Sequence, residues 1–462
     1  MKRISLMVMG ALLHVVVHAQ VVQSTTTADQ KQLVSEKKLV LIHGNTISTN
    51  TGGAKVHIEV DAQKKYQTIE GFGYALTGGS AQLIQSLPAF KKQTVLKEIF
   101  TKKGIGVSYI RISMGASDLD ARVFSYDDLP SGQTDSMLTH FSIAEDTVAL
   151  IPTIKAALTI QPHLKIMASP WSPPVWMKTN GSTMGGHLML SYYGSYAQYF
   201  VKYIQAMKKL GIMIHAVTLQ NEPEHGGNNP SLLMTAAEQT VFVRDYLGPL
   251  FKKNNIHTEI VIYDHNADHP NYPIEVLNDP QAKSYISAAA FHLYLGEERA
   301  LSKVHDAHPD KKVYFTEQWT GAKGDFAGDF MWHMEHIVLG TMQNWSSLVL
   351  EWNLAADASY APHTPGGCTQ CKGAFTIQGD TITKNVSYYI IAQVAKYIPA
   401  DAIRTASKSS SKDVLSLSFS LQNGKQALLL INKAATQEVE VQAADQKFNA
   451  VLPANSASTF IW

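Results

Sequence analysis

The stretch Ala216–His225 reads AVTLQNEPEH, and the rest of the chain is organised around it. Ala216, Val217, Thr218 and Leu219 suit a fully buried strand. The next residues, Gln220, Asn221 and Glu222, do not, and Pro223 stops a hydrogen-bonded ladder from continuing. A carboxylate set where an apolar strand ends is costly to desolvate unless something is gained. A helix cap or a surface ion pair is the ordinary use of such a glutamate. A second stretch repeats the design: Lys311–Trp319, KKVYFTEQW, is another apolar run ending in a single glutamate, Glu317. Two strand-end glutamates form a pair, and paired carboxyls are the minimal apparatus for cleaving a glycosidic bond.

Outward from these two stretches, short apolar runs alternate with helical patterns. Strands are expected at 69–74, 108–114, 164–171, 216–222, 259–266, 288–294, 313–319 and 347–353. Helical stretches are expected at 90–100, 146–158, 193–210, 236–251, 329–343 and 388–397. Eight strands with helices between them predict an α/β fold, a (β/α)₈ TIM barrel, over residues 68–400. An open doubly wound sheet would put a glycine fingerprint after its first strand, and EGFGYALTGG lacks that spacing. Beyond Ala402 short strands alternate with turns such as Asn423-Gly424, which predicts antiparallel β structure over 401–462. Short strands at 39–43 and 55–60, with Asn50, Gly52 and Gly53 as turn residues, are expected to join them. Residues 20–67 and 401–462 would then form a side β-sandwich built from both chain ends. The Thr- and Gln-rich segment 21–37 reads as poorly ordered.

Of 462 residues only 17% are charged, and the formal net charge is +1, with no basic or acidic block. Nucleic-acid binding needs clustered Lys and Arg, so no nucleic-acid partner is expected. MKRISLMVMGALLHVVVHAQ places Lys2 and Arg3 before an apolar run and a small residue at Ala19, the shape of a secretory signal over 1–19. No membrane span is expected, because His14 and His18 interrupt that run and no other segment approaches spanning length. The chain is therefore expected to be secreted, to the periplasm or beyond. Its two cysteines, Cys368 and Cys371 in GGCTQCKG, cannot make a four-cysteine zinc site; a local disulfide is expected, with free thiols the alternative. Oligomeric state leaves no mark on the sequence.

In such a barrel the polar residues at strand C-terminal ends meet in one mouth. The candidates are Glu70, Arg111, Asp118, Trp171, Asn221, Glu222, Asp264, His265, His292, Tyr294, Glu317, Trp319, Glu351, Trp352 and Asn353. Aromatic faces suit the C–H faces of a pyranose, and amides and carboxylates suit its hydroxyls, so the expected ligand is a carbohydrate. Glu222 and Glu317 are the expected catalytic pair; Glu70, Glu224 and Glu351 are competitors. Asp264, His265, Asp268 and His269 in YDHNADHPNYP are metal-type donors, but a hydrogen-bonded cluster or a substrate contact is expected, with no metal and no cofactor. Trp332 and Trp345 are read as core. A carbohydrate-binding protein on a retired enzyme scaffold would be expected to have lost one catalytic carboxyl, and neither is lost.

At these residues the chain resembles glycoside hydrolase family 30, which includes the lysosomal-type glucosylceramidases. The matching text is SYIRISMGASDLD, ASPWSPPVWMKTNG, AVTLQNEP, AFHLYLG, VYFTEQW and VLEWNLA, in that order. The resemblance implies a barrel with a side β-sandwich and a retaining mechanism. It implies Glu222 as acid/base and Glu317 as nucleophile. Asp118 and Trp171 would line the pocket for a glucose, completed by Arg111, Asn221, His292, Tyr294 and Trp352, with Trp319 beside them. After NEP the chain has only EHGGNNPSLLM, shorter than in glucosylceramidases. The segments YDHNADHPNYP, FTEQWTGA and HTPGGCTQC are similar to the bacterial and fungal β-1,6-glucanase branch. The implied activity is endo-β-1,6-glucanase acting on β-glucan, with glucosylceramidase or exo-β-glucosidase as the alternative.

Overall fold

The computed structural model describes residues 20–43 and 55–462. The expected signal and the turn residues Asn50, Gly52 and Gly53 lie outside the described residues.

Eight parallel strands close into a barrel in chain order. They are β1 (Gly71–Ala75), β2 (Tyr109–Ser113), β3 (Lys165–Ser169), β4 (Ala216–Thr218), β5 (Glu259–Ala267), β6 (Ile286–Gly296), β7 (Lys312–Glu317) and β8 (Ser346–Asn353). The expected TIM barrel is the observed one. Tyr109, Met167, Ala216, Val261, Ala288, Ala290, Tyr314, Leu348 and Leu350 form one buried cluster drawn from seven of these strands, alternating large and small side chains. Such a cluster fills the barrel interior as a packed core rather than a pore. A larger apolar cluster joins the outer strand faces to the helices. The glycines of EGFG belong to this packing: a Cβ on Gly73 would stand 1.8 Å from the Tyr109 carbonyl oxygen of the neighbouring strand. They serve close strand approach rather than a phosphate.

The helical ring is fuller than the periodicity predicts, with helices also at Gly78–Ser86, Asn271–Asn278 and Arg299–Ala307. The helix after β4 starts at a capping box in which the Thr235 hydroxyl accepts from the Glu238 backbone N–H and Glu238 reaches back. Trp332 is not core. It is 39% exposed on the outer ring, and Trp345 is only half-buried.

A ten-stranded sheet is built from the two chain ends. Its strands Gln446–Leu452 and Ser456–Ile461 lie in different halves of the sheet order, yet Phe448 and Phe460 pack at 5.4 Å and Trp462 Nε1 donates to Gln446 Oε1 at 2.8 Å. The sheet folds over on itself, and the two halves enclose a common core of Val, Leu, Ile and Phe residues. The segment expected to be poorly ordered is in fact two of these strands, Gln20–Thr27 and Ser35–Val40. Ser35–Val40 lies on the exposed edge, whereas Gln20–Thr27 is mostly buried and pairs much of its polar surface: Thr25 and Ser458 hydroxyls lie 2.8 Å apart, and Gln23 Nε2 donates to the Val451 carbonyl at 3.2 Å. Buried hydroxyls and amides are tolerated when each finds a partner. The same strand ties the sheet to the barrel, because Thr26 Oγ1 donates to Gln393 Oε1 of the last barrel helix at 2.9 Å.

Candidate active site

Strand β4 ends at Thr218, but the chain beyond it stays pinned between its neighbours. Asn221 N–H donates to the Pro170 carbonyl at 2.8 Å and Glu222 N–H to the Asp264 carbonyl at 3.0 Å. Glu222 itself has φ +48°, in the left-handed region that non-glycine residues rarely adopt. Strain of this kind persists where surrounding contacts over-determine it, and it clusters at functional sites. Tyr263 and Asp264, both at φ +69°, redirect β5 beside it. The β6–β7 register shifts between Phe291 and His292, setting His292 opposite Glu317. Such bulges re-aim side chains at a barrel rim.

These irregularities bring an oxygen of Glu222, an oxygen of Glu317 and a nitrogen of His292 to within 4.8 Å of one another. The two acids hold different partners. Glu317 accepts from Arg111 Nη1 at 2.6 Å and from the Tyr294 hydroxyl at 3.0 Å. Glu222 accepts from Asn228 Nδ2 at 3.2 Å and lies 3.1 Å from His292 Nδ1. Beneath them, Asp264 is the anchor. It accepts from Arg111 Nη2 at 2.8 Å, Ser169 Oγ at 2.9 Å and Thr316 Oγ1 at 2.6 Å, and it faces His292 Nε2 at 3.2 Å.

Burial alone would raise Asp264, but the Arg111 charge, with donors from His292 and Thr316, holds it far below the carboxylate range. Burial opposes a charged His292 too, yet the charge of Glu317 and hydrogen bonds to Asp264 and Glu222 raise it to about 9. Burial is also outweighed at Glu222, which His292 holds below its ordinary value. At Glu317 burial prevails, with the Glu222 charge adding to it, and its pKa rises against the pull of His292 and Arg111. The acids and the imidazole titrate as one unit. Asp118 is pushed up to about 7 by burial and by the Glu317 charge.

The cavity above the pair is about 300 Å³. Of the expected site residues, Asp118, Trp171, Asn221, Glu222, Tyr294, Glu317, Trp319 and Trp352 line it. Trp171 and Trp352 stack at 5.5 Å. Arg111 and His292, each 0% exposed, do not line it; they stand behind the two acids and hold them. The lip is closed by the Cys368–Cys371 disulfide, whose Cys368 N–H donates to Asp118 Oδ2 at 3.2 Å. His225, Asn228 and Asn266 also line the cavity and were not anticipated. Asn228 falls in a glycine-rich loop with no periodic signal; Asn266 follows His265 at a strand end and could have been found there.

Glu70 is not in the mouth. It precedes β1 rather than ending it, so it sits at the opposite end of the barrel, bonded to Lys165 at 2.6 Å and Lys312 at 2.7 Å. A larger cavity of about 490 Å³ opens there, lined by Glu70, Lys165, His215 and Glu259. Glu351 is buried against His333 at 2.7 Å, and Glu224 bonds His269 at 2.7 Å. In YDHNADHPNYP, Asp264 is the anchor described above, and His265 lines the cavity.

The sequence pattern of the Glycosyl hydrolase family 30 TIM-barrel domain matches residues 69–398. The chain is 34% identical over 429 residues to endo-1,6-beta-D-glucanase neg1 of Aspergillus fumigatus, covering 86% of this chain and 85% of that protein. It is 29% identical over 400 residues to putative glucosylceramidase 2 of Caenorhabditis elegans, covering 82% and 77%. The solved structure of the endo-beta1,6-glucanase BT3312 superposes with a TM-score of 0.88 at 33% identity, covering 96% of this chain and 99% of that one.

Proposed function

This chain belongs to glycosyl hydrolase family 30, and from that premise we propose that it is an endo-β-1,6-glucanase working by double displacement. The observation that carries the mechanism is the short gap between the carboxyls of Glu222 and Glu317. Retaining enzymes separate the two carboxyls by ~5–5.5 Å, whereas inverting ones leave ~6.5–9.5 Å for a water. The linkage rests on the β-1,6-glucanases, which match more closely than the glucosylceramidase across nearly the same length.

Glu317 is the nucleophile. Burial raises its carboxyl, but its partner Arg111, a guanidinium that cannot release a proton, pulls toward the ionised form that attacks. Glu222 is the acid/base. The resting pocket keeps its mobile proton on His292, 3.1 Å from Glu222. Passing that proton to Glu222 leaves a neutral imidazole whose Nε2–H still serves Asp264. Protonation of the glycosidic oxygen by Glu222 then releases the leaving sugar as Glu317 forms a glucosyl ester, and Glu222 next activates water. Asn221, its oxygen taken by Arg111 at 2.6 Å, keeps its amide N–H for the 2-hydroxyl. Trp171, Trp319 and Trp352 offer faces to the ring, and Asp118 binds hydroxyls.

The enzyme acts outside the cytoplasm. The signal-like residues 1–19 support this reading, as does a disulfide, which persists in oxidising compartments. No helix among the described residues is long and apolar enough to cross a membrane.

A product time course on pustulan, a linear β-1,6-glucan, tests the assignment, with a glucosylceramide assayed beside it. Oligosaccharides of mixed length are expected early from pustulan, with little release from the lipid. Glucose alone from pustulan would mean exo action, and no release would reject the linkage. Separately, Glu222→Ala should slow pustulan by roughly 10²–10⁴-fold, the usual contribution of a general acid. The same variant should retain far more of its rate on aryl glucosides whose leaving groups need no proton. Equal losses on both substrates would remove Glu222 from the acid role.

A further inference from the structure

Two trios of acid and imidazole groups among the described residues bring one donor atom each to within 4.8 Å. One is Glu222, His292 and Glu317, where Arg111, Tyr294 and Asn228 already donate to the carboxylates. The other is Asp127, Asp135 and His140, in the long loop between β2 and the helix Leu150–Ile160. Its partnering is incomplete. Asp127 is 1% exposed, and both of its carboxylate oxygens are buried without a hydrogen-bond partner. A buried carboxylate is costly unless it is paired or coordinates a metal. Asp135 stands beside it as a second acid, with Oδ2 accepting from the His140 backbone N–H at 2.8 Å and facing His140 Nδ1 at 2.9 Å. The nearby Lys202 acts on Asp127 by its charge but makes no ion pair with either acid; its ammonium donates to the Leu138 carbonyl at 2.6 Å.

The surrounding backbone is held from outside the trio. Trp176 Nε1 donates to the Asp127 carbonyl at 2.9 Å, Tyr126 N–H to the Tyr199 hydroxyl at 3.0 Å, and Ser195 Oγ to the Ser136 carbonyl at 2.9 Å. Two acids on a braced loop, one of them unsatisfied on both oxygens, are arranged to receive a cation. His140, whose side chain is 68% exposed, leaves a route for its entry.

We propose that Asp127, Asp135 and His140 bind one divalent transition-metal ion of the zinc or manganese type. Two carboxylates alone would suit calcium or magnesium, whereas the imidazole shifts the preference toward the first-row metals. The ion would be structural. It would join the Asp127 turn to its partner acid, and through Trp176 to the loop that carries Trp171, so that two walls of the mouth are clamped together.

The test is calorimetric titration of the EDTA-stripped, dialysed Glu317→Ala protein with zinc, manganese and calcium chlorides, with thermal melts alongside. The Glu317→Ala background breaks the other trio and confines the signal to this loop. One zinc or manganese ion per chain is expected, with a higher Tm when it is present. Asp127→Asn, nearly isosteric, should weaken binding at least tenfold and abolish the metal-dependent rise in Tm. His140→Ala, a change at an exposed side chain, should weaken zinc binding by a similar factor. Preference for calcium over both transition metals would overturn the assignment. So would an absence of saturable binding, or binding unchanged by either substitution.

Discussion

Glu317→Ala should lose hydrolysis of β-1,6-glucan by on the order of 10⁶-fold, a loss comparable to removal of the nucleophile in other covalent mechanisms. The substitution deletes the group that forms the glucosyl ester and leaves Glu222 and His292 in place. Sodium azide should then restore turnover of an aryl β-glucoside with a good leaving group. Azide would occupy the space vacated by the carboxylate, on the face of the ring opposite the leaving group, so a single displacement follows and the product is the α-glucosyl azide. The same experiment on Glu222→Ala should give the β-azide, since Glu317 still makes the covalent intermediate and azide intercepts it from the other face. Product anomers read by NMR thus assign both acids without reference to rate. A β-azide from Glu317→Ala, or near-normal glucan hydrolysis by it, would reverse or remove the assignment.

The barrel was legible because its strands are buried on both faces. Such strands read as continuous apolar runs, and each ends abruptly where polar mouth residues begin, as LQNE and FTEQ do. The same rule explains the misreading of Glu70. A glutamate beside a strand marks an end of that strand, but the sequence does not say which end, and the ladder begins at Gly71, after it. The strand Gln20–Thr27 was hidden for the opposite reason: its burial rests on hydroxyl and amide pairing with Ser458 and Gln393, partners hundreds of residues away. Arg111 and His292 were found as site residues, yet their place behind the acids depends on the β5 and β6 backbone irregularities, which no periodicity encodes. Asp127 gave no signal either, since its unmet oxygens are a property of packing.

Arg111→Met should be the most destabilising single change in the pocket. The guanidinium, fully buried, bridges Asp264 and Glu317 and lies 4.9 Å from the Trp171 ring centre. Methionine fills much of the volume but leaves two buried carboxylates without their cation, and breaking a buried pair from one side costs about 3–5 kcal/mol. Denaturant midpoints should show it, and Asp264→Asn added to Arg111→Met should recover part of the loss, because one of the stranded charges is gone. Activity should respond differently. Without Arg111 the carboxyl of Glu317, already raised by burial, rises further, so its ionised form appears only at higher pH. The acidic limb of kcat/KM should therefore move upward in Arg111→Met. The double variant should give back part of that shift along with its stability, because the Asp264 charge is one of those that raise Glu317. An acidic limb that stays in place would separate Arg111 from the nucleophile and leave it a purely structural cation.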